Sequence, residues 1–156
     1  MITRDNKPIT ILLVDDDPDC RLLVRDAIAE CKVSNQVVEV GSGEEALRLL
    51  SREGPFVDAP RPGLIFLDIE MPGIDGLETL RRIRQQKQLQ DIPVVVMTGV
   101  SGEDEMKLAA KYGANSYTLK PAIAEQFLRT VLTSTNYWLT IHQYPEHHVA
   151  AESCRR

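Results

Sequence analysis

Three acids, a hydroxyl and an ammonium follow four apolar runs: Asp15-Asp16 after Ile9–Val14, Asp68 after Leu64–Leu67, Thr98 after Val94–Met97, and Lys120 after Tyr117–Leu119. Carboxylate oxygens are hard ligands suited to Mg²⁺. A carboxylate also accepts a phosphoryl group when the charge on the transferring oxygens is neutralised and the donor is held in line. This chemistry assigns Asp68 as nucleophile, Asp15 and Asp16 as acids sharing Mg²⁺ with it, Lys120 as a fixed positive charge and Thr98 as a hydroxyl donor. The metal would offset repulsion among three close carboxylates, which otherwise raises at least one pKa. Each residue alone also has an ordinary structural role. Asp15 to Asp17 before Pro18 can cap a helix and favour its dipole, Asp68 can be a turn residue, Thr98 a strand end and Lys120 a solvated charge. Joint placement after four of five strands favours the chemical reading.

These residues meet only if the runs are parallel strands of one sheet, whose carboxyl ends border the ligand crevice of an open α/β fold. Strand and helix signals do alternate. Ile9–Val14 is a continuous apolar run of the kind buried on both faces of a parallel sheet. Pro18 fits a first helical position, and Cys20, Leu23, Val24, Ala27, Ile28 and Cys31 follow on one stripe. Val37–Val40 and Glu44–Arg52 read as the second strand and helix, and Ser51–Gly63, with three prolines, as a long loop. Leu64–Leu67 is the third strand, Met71-Pro72-Gly73 a turn, and Asp75 an N-cap for a helix carrying Leu77, Leu80 and Ile83. Ile92–Met97, Gly102–Tyr112 with Gly113 as C′ residue, Asn115–Leu119 and Ala122–Thr135 complete the series. Ile123, Phe127, Leu128, Val131 and Leu132 form the buried side of that last helix. Five βα units in series predict an α/β, doubly wound, five-stranded parallel sheet in a three-layer sandwich.

The 156 residues fit one domain, and 43% hydrophobic content supports a core. A net charge of −5 disfavours binding to nucleic acid or acidic membrane, which are polyanions; the expected partners are proteins. No run approaches the roughly 20 apolar residues of a membrane span, and the first eight residues lack a signal-peptide hydrophobic region, so a cytoplasmic location is expected. Cys20 and Cys31, eleven positions apart on one predicted helix, are too distant for a disulfide, and both are expected as buried thiols. Cys154 is expected to be exposed.

Leu12-Leu13-Val14-Asp15-Asp16-Asp17-Pro18, Leu67-Asp68-Ile69-Glu70-Met71-Pro72-Gly73-Ile74-Asp75-Gly76, Val96-Met97-Thr98-Gly99 and Leu119-Lys120-Pro121 resemble, in order, the motifs of response-regulator receiver domains. The resemblance spans about Ile9 to Thr135. It implies a flavodoxin-like (βα)5 receiver fold and phosphorylation of Asp68 by a partner histidine kinase, with self-catalysed transfer rather than enzymatic turnover. It further implies Mg²⁺ held by Asp16, Asp68 and the backbone carbonyl of Glu70, with Asp15 helping through water. Thr98 and Tyr117 become the switch pair, and Lys120-Pro121 a cis peptide. Gly99 replaces the alanine or serine common after the switch threonine, opening the pocket to water, while Glu70 and Val100 occupy positions that influence phosphoryl lifetime. The long loop before the third strand and Tyr137-Trp138-Leu139-Thr140-Ile141 resemble, more narrowly, the small regulators paired with bacterial phytochromes. The expected layout is a receiver over 1–136 and an aromatic extension over 137–156 without an output domain. That extension either packs on its own domain or serves a homodimer or kinase contact.

Other classes compete. Gly41-Ser42-Gly43-Glu44-Glu45-Ala46 fits a loose dinucleotide pattern, but it lies in the second unit with acids where a pyrophosphate would sit, and reads as a turn and helix start. A Mg²⁺-dependent aspartyl-phosphate phosphatase would use Glu70, two residues after the nucleophile, as general acid; the Met71-Pro72-Gly73 turn and small size favour the receiver. A phosphorylation-independent interaction module is the third class. The three histidines, His142, His147 and His148, fall in the tail, so phosphoryl groups are expected from another protein's histidine or a small donor.

Overall fold

The computed structural model describes residues 9–30, 35–99, 102–120 and 124–138. Cys31, Val100, Pro121 with its peptide bond to Lys120, Ile123, and the chain from 139 onward, including the three histidines and Cys154, lie outside them. Strands β1 (Thr10–Val14), β2 (Gln36–Val40), β3 (Leu64–Asp68), β4 (Val94–Thr98) and β5 (Ser116–Leu119) alternate with helices α1 (Pro18–Ala29), α2 (Gly43–Leu50), α3 (Gly76–Gln85), α4 (Glu103–Lys111) and α5 (Ala124–Asn136). All four strand pairings are parallel, in the order β2-β1-β3-β4-β5. The chain reverses its winding between β1 and β3, the switch point where such sheets bind ligands.

Alternate side chains of the buried strands feed two cores. Leu12, Val14, Ile65, Leu67, Val94 and Val96 pack with Leu49 of α2, Leu80 and Ile83 of α3, and Ala109 of α4. Ile11, Leu13, Leu64, Phe66, Val95 and Met97 face α1 and α5 through Val24, Ile28, Phe127 and Val131. Trp138, just past α5, is only 6% exposed and belongs to this second cluster, with Tyr137 edge-on at 5.0 Å and largely exposed. Part of the aromatic segment therefore packs on its own domain.

Strand limits differ from the expectation in one useful respect. Asp68 and Thr98 are the last residues of β3 and β4 rather than the first beyond them, because Asp68 pairs with Met97 and Thr98 with Leu119 in the ladder. Ile9, Ile92, Pro93 and Asn115 lie outside the strands to which the hydrophobic pattern assigned them, since apolar character continues past the last paired backbone group. The helix over Glu44–Arg52 ends at Leu50, and Arg52 turns left-handed at φ 55°. The loop to β3 contains a short 3₁₀ turn at Gly54–Phe56. Among the described residues no helix is long and apolar enough to cross a membrane.

Candidate functional site

Parallel register brings the ends of β1, β3, β4 and β5 to one edge. Asp15 emerges from β1 and is fully buried, Asp68 ends β3 at 3% exposure, and Thr98 ends β4 fully buried. Asp16 is exposed. Ligand oxygens of Asp15, Asp16 and Asp68 lie within 4.8 Å of one another. Lys120, which follows β5, reaches across two strands: its Nζ donates to Asp15 Oδ2 at 2.8 Å and stands 3.1 Å from Asp68 Oδ1. Its backbone amide is tied to the Thr98 carbonyl at 2.7 Å. The sequence-predicted Asp15, Asp16, Asp68, Thr98 and Lys120 are thus brought to one edge.

Local sequence explains the loops. Asp17 caps α1 by accepting from the Asp19 amide, while Asp15 Oδ1 accepts from the Asp17 amide at 2.9 Å; the capping acid is therefore not one of the two that cluster with Asp68. Asp75 caps α3 by accepting from the Glu78 amide at 2.9 Å. Gly76 begins that helix against the backbone of Asp68 and Ile69, where a Cβ would overlap the Asp68 carbonyl oxygen. Gly73 turns left-handed at φ 78°, and the neighbouring Ile74 amide donates to Glu44.

Burial pushes the Asp68 carboxyl up to about 6; the positive charge of Lys120 opposes this and the negative charge of Asp15 adds to it. Burial alone would lower the Lys120 ammonium, but its hydrogen bond to Asp15 and the charges of Asp15 and Asp68 outweigh that and hold it above its usual range. One cation therefore faces two buried carboxylates with a third beside them. Asp68 Oδ1 is buried without a hydrogen-bond partner, its nearest cation being the Lys120 ammonium at 3.1 Å. An orphaned oxygen beside an all-carboxylate donor set is what a hard divalent cation fits.

The Thr98 side chain hydrogen-bonds the Tyr117 hydroxyl, which also engages the Gly102 backbone; burial and the Glu105 charge nevertheless raise the phenol pKa. Glu70 is exposed on the loop after β3, and a Cβ on Gly99 would meet its Oε1 at 3.8 Å, an ordinary contact. Sequence reasoning missed two neighbours. Cys20, expected simply as a core thiol, lies in the electrostatic surroundings of Asp15 and Lys120, and burial foremost pushes its thiol up to about 12. Arg21 donates to the Asp15 carbonyl at 2.6 Å. Their positions five and six residues beyond Asp15, on the first turn of a helix folding back beneath the acids, are the available signal.

A family model described as the response regulator receiver domain matches residues 11–132. The response regulator Rcp1 of Synechocystis sp. is 31% identical over 139 residues, covering 89% of this chain and 95% of Rcp1. Among solved structures, the phosphorylated cyanobacterial phytochrome response regulator RcpA superposes with a TM-score of 0.86 at 34% identity, covering 89% of this chain and 99% of RcpA. The Mn²⁺-bound form of Rcp1 gives 0.84 at 30% identity, covering 88% and 99%.

Proposed function

The chain belongs to the response-regulator receiver family of two-component signalling, and we propose that it is a phosphoacceptor in which Asp68 takes a phosphoryl group from a histidine of a partner kinase. The observation that carries this reading is the buried Asp68 oxygen without a hydrogen bond, 3.1 Å from Lys120 and grouped with Asp15 and Asp16. In the transfer, an Asp68 carboxylate oxygen forms the new P–O bond while the P–N bond to the donor imidazole breaks and its electron pair stays on nitrogen. Asp15, Asp16, Asp68 and the Glu70 carbonyl would hold Mg²⁺. When bound, that ion neutralises charge on the transferring oxygens and relieves repulsion among the acids.

Lys120 is already charged and stands 3.1 Å from Asp68, so little reorganisation separates the resting site from one that receives a dianionic group. Thr98 would exchange its Tyr117 partner for a phosphoryl oxygen. That exchange frees the Tyr117 ring to repack against the cleft of about 520 Å³ bounded by Gly102, Met106, Tyr117 and Leu119, and so changes the surface of α4 and β5 by population shift. Likeness to Rcp1 and RcpA supports a phytochrome-type kinase as donor. On this reading the protein works in the cytoplasm.

The test is intact-mass measurement after incubation with acetyl phosphate and MgCl₂. One phosphoryl adduct, absent without Mg²⁺ and absent in Asp68→Asn, supports the proposal. An unmodified chain points to an inert interaction module, and rapid multiple turnover of small phosphate esters to a phosphatase.

A further inference from the structure

Arg21 has no place in the chemistry described above, yet it makes two oriented contacts beneath the acids. One guanidinium nitrogen donates to the Asp15 carbonyl at 2.6 Å, and Nε donates to Glu39 Oε1 at 3.1 Å. Glu39 lies on β2, in register with Leu13 of β1, and its other oxygen receives Arg25 at 2.8 Å. Arg21 is mostly buried, with 23% of its side chain exposed, whereas Arg25 is half-exposed. A planar guanidinium fork suits this task, because it binds two oxygens in fixed relative directions where an ammonium cannot.

What Arg21 fixes is the peptide bond between the two metal acids. Asp15 is already anchored elsewhere: its amide donates to the Val40 carbonyl at 3.2 Å, and its carboxylate is held by the Asp17 amide and Lys120. Asp16 is exposed and is joined to the anchored Asp15 by their shared peptide. The Asp15 carbonyl belongs to that peptide, and Arg21 holds it.

We infer that Arg21 is a positioning residue for the divalent cation, acting on Asp16 through the Asp15–Asp16 peptide. The inference rests on the reading of the acid cluster as a cation site. Outer-shell partners that orient ligands typically change metal affinity when removed, and Arg25 is the internal control because it shares Glu39 without touching the Asp15 carbonyl.

The experiment titrates MgCl₂ into the metal-free full chain by calorimetry, with hydrogen exchange over residues 15–17 followed separately without metal. Arg21→Gln is expected to weaken Mg²⁺ about tenfold, with Arg25→Gln changing it less than about twofold and Arg21→Lys falling between. In an Asp16→Asn background Arg21→Gln is expected to add less than about twofold, the coupling that a double-mutant cycle reads. Faster exchange at Asp16 and Asp17 in Arg21→Gln but not Arg25→Gln supports the same hold without any metal. The inference is overturned if Arg21→Gln binds Mg²⁺ as the parent does, if Arg25→Gln weakens it equally, or if the loss persists undiminished without the Asp16 carboxylate. A parent chain that takes up no Mg²⁺ overturns the underlying functional reading instead, and exchange still decides whether Arg21 holds the loop.

Discussion

Replacing Asp68 with asparagine should stabilise the metal-free protein. The Asp68 carboxyl is pushed from an ordinary 3.8 up to about 6, burial being the main cause. The folded state therefore holds its proton more tightly than the unfolded chain, and stability falls as pH rises through this window. At about 1.4 kcal/mol per pH unit, ionised Asp68 costs the metal-free fold about 3 kcal/mol above pH 6. Asp68 is 3% exposed, so solvent screening removes little of this. Asparagine keeps the shape and carries no charge. Denaturant unfolding followed by Trp138, the single tryptophan, in EDTA should show Asp68→Asn more stable by about 3 kcal/mol at pH 7.5 and by about 1 kcal/mol at pH 4.5. Added Mg²⁺ should close the gap at pH 7.5, because it stabilises only the protein that binds it. Equal or lower stability of the variant at pH 7.5, or a gap that does not change with pH, refutes the reasoning.

The remaining predictions concern the surroundings of that carboxylate. Lys120→Met leaves Asp15 and Asp68 buried without their cation and should cost about 3–5 kcal/mol in EDTA at pH 7.5, measured by the same unfolding experiment. Trp138→Ala should lower stability by about 3–5 kcal/mol while leaving phosphoryl uptake from acetyl phosphate intact, since the ring packs in the α1 and α5 cluster and is not among the residues grouped at the acids. Gly76→Ala forces a methyl group onto the Asp68 carbonyl; an overpacking cost of about 1–3 kcal/mol and slowed phosphoryl uptake by intact mass are expected. Cys20, with its thiol pushed up to about 12 and buried, should resist iodoacetamide at pH 8 in the native protein and react once unfolded, as peptide mass mapping will tell.

The parts of this account that the sequence carried are those written in local pattern. Continuous apolar runs mark the buried strands, and polar residues at their carboxyl ends mark the shared edge, so the grouping of Asp15, Asp68, Thr98 and Lys120 is legible in the sequence. Asp75 and Gly113 were readable because helix termini impose local hydrogen-bond demands. Side-chain reach was not readable. Nothing in helical periodicity says that Cys20 lies near Asp15 or that Arg21 grips the Asp15 carbonyl, because those contacts depend on how α1 docks against β1 and β2. The same limit applies to Trp138: composition marks an aromatic segment, but its burial depends on how α5 docks beside Val24 and Ile28 of α1. Strand limits shifted because pairing with the neighbour, rather than hydrophobicity, decides the last ladder residue, which is why Asp68 and Thr98 sit inside their strands.

The central claim is that Asp68 is the residue that receives phosphate. An acyl phosphate is reduced by borohydride to an alcohol, which converts the modified aspartate into homoserine. Treating the protein with a phosphorylated histidine kinase and Mg²⁺, reducing, and sequencing the peptides by mass spectrometry should find homoserine at position 68 and nowhere else. Homoserine at another acid, or phosphate retained on a residue that borohydride leaves unchanged while position 68 remains aspartate, would contradict the account.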